Sequence, residues 1–294
     1  MTSPVDSPAD LAVRLDATGY LADDGLATVG WLALTMQRPL LVEGEPGTGK
    51  TALAEALAEL LDVELVRLQC YEGIDASQAL YDWDFPRQIL HLRTVEATQQ
   101  GVRDADEVER SLFDDRFLLD RPVLRALRHS PAVLLVDEVD RADDEFEAFL
   151  LEVLSTYQVS IPEHGTVTAD PPPVVVLTSN RTRELHDALK RRCLYHWIDH
   201  PGLAREVQIV RTRLPDVSLR LAEQVTRAVH RLRDCDDLLK PPGVAETLDW
   251  ARALHALGAD ELDLAAAAAT LGAVVKYRED IERVRARLDR MLAS

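Results

Sequence analysis

The sequence predicts an α/β fold, a parallel sheet with flanking helices followed by a smaller all-helical region, and three observations lead there. Short continuous apolar runs alternate with helical patterns over the first two thirds of the chain, as strands buried on both faces require. A glycine-rich turn joins the first of those runs to a helix. Beyond Pro201-Gly202 the strand signal stops and only helical periodicity remains.

Two helical patterns come first, over residues 10–20 and 24–37. Pro39 opens a buried strand, Leu40-Leu41-Val42, and the glycine-rich turn leads into a helix over 50–61. Residues 63–69 alternate as a second strand. A helix over 122–129 precedes the third strand, 132–136, and Pro171-Pro172-Pro173 precedes the fourth, 174–177. A helix over 184–191 leads to the fifth, 194–198. Residues 157–161 and 166–169 flank His164-Gly165 as a β-hairpin insertion. The helical tail reads as 203–213, 219–235, 244–257 and 260–292, the last broken near Gly272. The run Ala265 to Ala269 belongs to that helix, because alanine has the best intrinsic propensity. The expected domains are therefore 1–200 and 201–294.

At 294 residues with 47% hydrophobic residues, the chain can bury a substantial core, and 5% aromatics leave that core to Leu, Val and Ala. A net charge of -18 repels polyanions, so no nucleic-acid partner is expected. Cys70, Cys193 and Cys235 show no CxxC spacing, which fits a reducing compartment and argues against a disulfide or zinc framework. The first residues have no leader pattern, and the apolar stretches 26–36 and 264–275 are shorter than the ~18 residues of a membrane span. A cytoplasmic protein without a membrane span is expected.

The chemistry is concentrated in three segments. Gly44-Glu45-Pro46-Gly47-Thr48-Gly49-Lys50-Thr51 fits GxxxxGK[ST] between a strand and a helix. Glycines let such a loop curl its N–H groups around phosphates, the helix adds its positive end, Lys50 reaches the outer phosphates and the Thr51 hydroxyl suits magnesium. ATP and Mg2+ are the expected ligands. Asp137-Glu138 ends the third strand, where Asp137 can hold magnesium and Glu138 can deprotonate an attacking water. Asn180 ends the strand beside it, placed to touch the γ-phosphate and the water.

The set GEPGTGKT, VLLVDEVD, VVVLTSN and a basic helix end before a fifth strand resembles an AAA+ ATPase over nearly the whole chain. The hairpin before the Asn180 strand and the helical tail resemble the MoxR branch. Within it, CYEGIDASQALYDWDFPRQIL and DEVDRADDEFEAFLLEVLSTYQVSIPE are similar to the CoxD-like accessory ATPases of molybdenum- and copper-dependent carbon monoxide dehydrogenase. The resemblance implies a P-loop AAA+ sheet with an all-α lid, ATP hydrolysis, and a hexameric ring whose sites are completed by a neighbour's arginine. The candidates are Arg191 and Arg192, with Arg192 at the matching position and Cys193 where relatives carry Phe. Both arginines equally suit the negative end of their own helix. Relatives often start a lid helix with Ser-Pro-Arg; this chain has Pro241-Pro242-Gly243, with Arg252 further along.

Tyr81-Asp82-Trp83-Asp84-Phe85 lies where MoxR proteins build a pore-facing loop, and its rings suit either a client segment or the insertion's own core. Runs 104–109 and Asp114-Asp115 read as solvated faces, and His196 and His200 lack a third metal ligand. The resemblance implies a von Willebrand factor A-type partner and a client metalloenzyme, a molybdenum/copper hydroxylase whose metal centre the ATPase helps to mature. Its rivals are a Rubisco or nitric oxide reductase client, or a nucleotide-gated assembly switch.

Overall fold

Five apolar runs become one sheet in the computed structural model, which describes residues 5–98, 110–162 and 164–293. In chain order the strands are β1 (Leu40–Gly44), β2 (Glu64–Gln69), β3 (Tyr81–Trp83), β4 (Leu118–Asp120), β5 (Ala132–Asp137), β6 (Gln158–Ile161), β7 (Gly165–Thr168), β8 (Val174–Ser179) and β9 (Leu194–Ile198). The helices are α1 (Pro8–Ala17), α2 (Asp24–Met36), α3 (Lys50–Leu61), α4 (Ala76–Ala79), α5 (Phe85–Thr98), α6 (Pro122–Arg128), α7 (Asp144–Thr156), α8 (Asp187–Arg192), α9 (Leu203–Arg213), α10 (Leu219–Arg233), α11 (Val244–Ala256), α12 (Leu264–Val274), α13 (Arg278–Arg285) and α14 (Leu288–Ala293). The sheet order is β2-β5-β8-β1-β9, and β2/β5, β5/β8 and β8/β1 pair in parallel. The two ribbons β3/β4 and β6/β7 are antiparallel.

The chain forms two compact units. The first comprises the described residues of Met1–Leu11, Asp24–Glu43 and Leu57–His196. Position in the sheet explains its strand patterns. Central β5 is buried at all six residues, whereas edge strand β2 buries Val66 and Leu68 and turns Arg67 and Gln69 outward. A continuous core runs through Leu41, Leu68, Leu134, Val136, Phe146 and Leu177. The hairpin β6/β7 turns at Gly165, whose φ of +107° is left-handed and suits glycine.

The second unit comprises Ala12–Asp23, Gly44–Ala56 and the described residues of Trp197–Ser294. Its core gathers Val210, Val225, Leu232, Trp250, Leu254 and Leu271, and the Trp250 indole donates to Thr270 Oγ1 at 2.8 Å. The tail breaks near Gly272, as expected: Gly272 lies in the last turn of α12, which ends at Val274, and Val275 is extended. Nothing approaches Gly272, so the helix tolerates it at about 1 kcal/mol. The turn falls at the apolar pair Val274 and Val275, both buried. Among the described residues no helix is long and apolar enough to cross a membrane.

A carboxylate lies inside this second core. Glu206 is fully buried and accepts from Arg233 Nη1 and Nη2 at 2.6 and 2.7 Å, from Thr247 Oγ1 at 2.6 Å, and meets His230 Nε2 at 2.8 Å. Burial alone would raise its pKa; the bonds from Arg233 and Thr247 outweigh that and hold it below 4.5. The stabilisation is therefore present above the unfolded-state value and lost as pH falls through the depressed folded one. Glu206→Met, which leaves Arg233 buried without its partner, should cost about 3–5 kcal/mol in denaturant unfolding at neutral pH. An unchanged midpoint would show that the pair does not hold the unit together.

Candidate functional site

In the first unit, register builds a cluster of acids. Gln69 at the end of β2 lies opposite Asp137 at the end of β5. Asp137 is 3% exposed; its Oδ1 accepts from Thr178 Oγ1 at 2.6 Å and its Oδ2 from Arg67 Nη2 at 2.5 Å. Thr178, on β8, also accepts the Glu138 N–H at 2.9 Å, so one hydroxyl ties both acidic residues to the neighbouring strand. Glu138 itself is left-handed, at φ 55° and ψ 48°. A non-glycine residue there stores of order 1 kcal/mol or more, and the surrounding contacts keep it in place.

That backbone turn sets the Glu138 carboxylate among three donors. Arg141 Nε lies 2.9 Å and Gln69 Nε2 3.1 Å from Oε2, and Asn180 Nδ2 lies 3.4 Å from Oε1. Arg67 links the set by donating to Gln69 Oε1 at 2.6 Å. At the adjoining strand end, buried Glu43 accepts from Ser179 Oγ at 3.2 Å and Tyr195 Oη at 3.1 Å, which anchors the segment leading to Asn180. Cys70, beside these acids, is held inert: burial first, then the nearby Asp137, Asp140 and Glu138, push its thiol up to about 12.

Arg191 and Arg192 end α8. The carbonyls of that helix end are capped by Arg38, which donates to Arg191 O at 2.8 Å and to Arg192 O at 2.9 and 3.1 Å. The two arginine side chains are exposed and make no hydrogen bond or ion pair among the described residues. Arg191 and Arg192 stand in the last turn of α8, so the helix-end alternative holds beside the cap that Arg38 supplies.

The glycine-rich loop belongs to the second unit. Gly47 and Gly49 have φ of +79° and +95°, left-handed values that glycine permits. Gly44 is needed for a different reason: a Cβ there would lie 2.4 Å from the Ile198 carbonyl oxygen. Lys50 opens α3, is 7% exposed, and donates to the Gly44 and Glu45 carbonyls at 2.7 Å each. Thr48 Oγ1 closes the turn onto Glu45 O at 2.9 Å. Pro46 follows Glu45 in this turn, and Thr51 sits half-buried in the first turn of α3.

Other residues singled out in the sequence divide. Trp83 packs its ring edge-on to Phe113 at 5.3 Å and Tyr81 lies 6.4 Å from Trp83, and both half-buried rings pack against the core of the first unit. Phe85 is 58% exposed. Asp115 pairs with Arg128 at 2.6 Å; Asp114 is exposed beside it, and run 104–109 lies outside the described residues. Arg252 is exposed and bonds to Asp249 at 3.1 Å. Among the described residues no group of three or more His, Cys, Asp and Glu side chains could hold a metal ion, His196 and His200 included. Sequence reasoning missed Arg67, Gln69 and Arg141. For Arg67 and Gln69 the available signal was polar residues on the outward side of a strand, level with the acids; for Arg141 it was the spacing of three residues from Glu138.

The profile of the AAA domain (dynein-related subfamily) matches residues 39–193, just over half of the chain. The chain belongs to this family and is an AAA+ ATPase. An uncharacterised protein of Staphylococcus aureus (strain bovine RF122 / ET3-1) is 25% identical over 171 residues, 56% of this chain and 57% of its own length. The chain thus spans little more than half of that relative. Midasin of Giardia intestinalis is 50% identical over 48 residues, 16% of this chain and 1% of midasin. Among solved structures, the Thermotoga maritima RuvB Holliday junction branch migration motor aligns over 96% of this chain and 75% of its own, with 16% identity and a TM-score of 0.46.

The Thr178 bridge can be removed without changing side-chain shape. Thr178→Val should leave the Glu138 N–H and Asp137 Oδ1 short of a partner and cost about 1–3 kcal/mol in chemical unfolding. An equally stable variant would mean that water replaces the hydroxyl.

Proposed function

We propose that this AAA+ ATPase binds MgATP on Gly44, Glu45, Pro46, Gly47, Thr48, Gly49, Lys50 and Thr51, and hydrolyses it with Glu138 as general base. Residues 1–200 are assigned as the nucleotide-binding domain and 201–294 as its helical lid. The observation that carries the reading is the Glu138 carboxylate, turned out of the strand end by a left-handed residue and bracketed by Asn180, Gln69 and Arg141. A carboxylate so held can accept a proton from water at Oε1, where Asn180, at 3.4 Å, is the longest and loosest of its contacts. Asn180 then orients that water. Lys50 transfers its two carbonyl contacts to phosphate oxygens, a stronger charge-assisted pairing.

The Thr51 hydroxyl and the Asp137 carboxylate are hard oxygen donors of the kind magnesium takes. When bound, the ion would offset the phosphates' charge; Thr178 fixes Asp137 at Oδ1, and Arg67 holds Oδ2. Arg192 is assigned to the neighbouring subunit's site in a hexameric ring, with Arg191 the alternative. Their unpaired, exposed side chains support that role, since a residue acting in trans must not be satisfied within its own subunit.

The client reading rests on the resemblance of residues 70–90 and 137–163 to CoxD-like ATPases. On that reading the ring, together with a von Willebrand factor A-type partner, opens a folded molybdenum/copper hydroxylase so that its metal centre can be completed in the cytoplasm. The chain's acidity, -18 overall, suits a protein client better than a nucleic acid.

Two measurements test these claims. Lys50→Ala should abolish ATP binding in titration calorimetry, whereas Glu138→Gln should bind normally and lose about 10²–10⁴ in turnover. Normal turnover by Glu138→Gln would remove Glu138 as the base. In cells carrying Glu138→Gln, the hydroxylase should accumulate folded with its molybdenum cofactor but an incomplete metal centre, read by metal analysis. A fully loaded, active enzyme from those cells would move the assignment to another client.

A further inference from the structure

The segment Pro241-Pro242-Gly243, which stands where relatives place a lid arginine, is backbone in close contact with the glycine-rich loop. The Gly47 carbonyl accepts from Val244 N at 3.0 Å and Ala245 N at 3.3 Å. These are first-turn amides of α11, which have no partner inside their own helix. Gly243 has φ -86°, a value any residue adopts, so conformation does not call for glycine here. Proximity does. A Cβ on Gly243 would lie 2.8 Å from Pro46 O and 3.0 Å from Gly47 Cα. Glu246 completes the turn by accepting the Gly243 N–H at 2.9 Å, and its Oε2 would be 3.1 Å from a Cβ on Gly47.

Buried charge holds this turn in place. Arg233 is 10% exposed, grips Glu206 with two nitrogens, and uses Nε to donate to the Pro242 carbonyl at 2.7 Å. Thr247, one turn into α11, bonds to the same Glu206 at 2.6 Å. The chain of contacts therefore runs from a fully buried carboxylate, through Arg233 and Pro242, to the first turn of α11 and on to Gly47.

In a trans peptide the carbonyl and the following N–H point in opposite directions. Holding Gly47 O toward α11 thus directs the Thr48 N–H away from it, and loop N–H groups are the phosphate ligands. We propose that Gly243, Arg233 and Glu206 are positioning residues that pre-set the phosphate loop through the Gly47 carbonyl, so that the lid reads the nucleotide site through backbone contacts in place of an arginine side chain. The inference rests on the nucleotide-binding reading of Gly44–Thr51 and adds to it a specific route from lid to loop.

The test uses the full chain and MgATP. Gly243→Val should raise the MgATP dissociation constant at least tenfold. It should also speed amide exchange at Val244 and Ala245 at least tenfold, while exchange in α10 and the thermal midpoint stay as in the unaltered protein. A purely structural role would move the last two and not the first pair alone. Arg233→Lys, which keeps the charge but loses the fork, should shift the same two readouts in the same direction, and it decides the matter if Gly243→Val fails to fold. Arg252→Ala, on the outer face of the same helix, should bind as the unaltered chain does. If the unaltered chain binds MgATP and Gly243→Val binds within twofold of it, the inference is overturned. If the unaltered chain binds no MgATP, the nucleotide reading itself fails.

Discussion

Side chains at the ends of β2, β5, β8 and β1 meet because those strands run parallel in a fixed register, with Gln69 opposite Asp137 and Glu43 opposite Ser179. A slip of one residue would turn Asp137 and Thr178 to opposite faces and separate the hydroxyl from both groups it joins. The apolar interiors of β5 and β8 prevent such a slip, since every residue of β5 and all but the first of β8 are buried. Packing in the middle of the strands thus fixes chemistry at their ends, and the left-handed turn at Glu138 completes it by taking the second acid out of the strand.

The second unit solves a related problem with charge. A loop of five residues between β1 and α3 has few side chains with which to define its own shape. Its carbonyls are occupied instead: Gly44 and Glu45 by Lys50, Glu45 again by Thr48, and Gly47 by the first turn of α11. That turn is in turn set by the Glu206–Arg233 pair, whose desolvation is offset by bidentate geometry and by a third bond from Thr247. A buried ion pair of this kind adds little net stability over an apolar core but specifies one arrangement. In this protein the arrangement specified is that of the first turn of α11 and the glycine-rich loop.

Much of this was legible in the residues. Continuous apolar runs announced β1, β5 and β8, and the glycine pattern announced the loop, because both signals are local. Asp137, Glu138 and Asn180 followed from their places at strand ends. Arg67 and Gln69 were not legible, since β2's alternation marks them only as outward-facing residues whose neighbours depend on which strand pairs with β2; Arg141, three residues past Glu138, meets it through the short turn that follows. The break in the helical tail was legible to within two residues from Gly272, and the buried pair Val274 and Val275 stands where the chain turns. Pro241-Pro242-Gly243 read as a missing arginine; its role as a close backbone contact needed the fold to become visible.

The most direct measurement is phosphate release by the unaltered, purified chain, at concentrations where subunits associate, with magnesium present and then removed by a chelator. The account predicts steady multiple turnover of ATP that stops on chelation and resumes when magnesium is restored. Folded, nucleotide-bound protein that releases no phosphate under these conditions, or releases it equally with the chelator present, would contradict it.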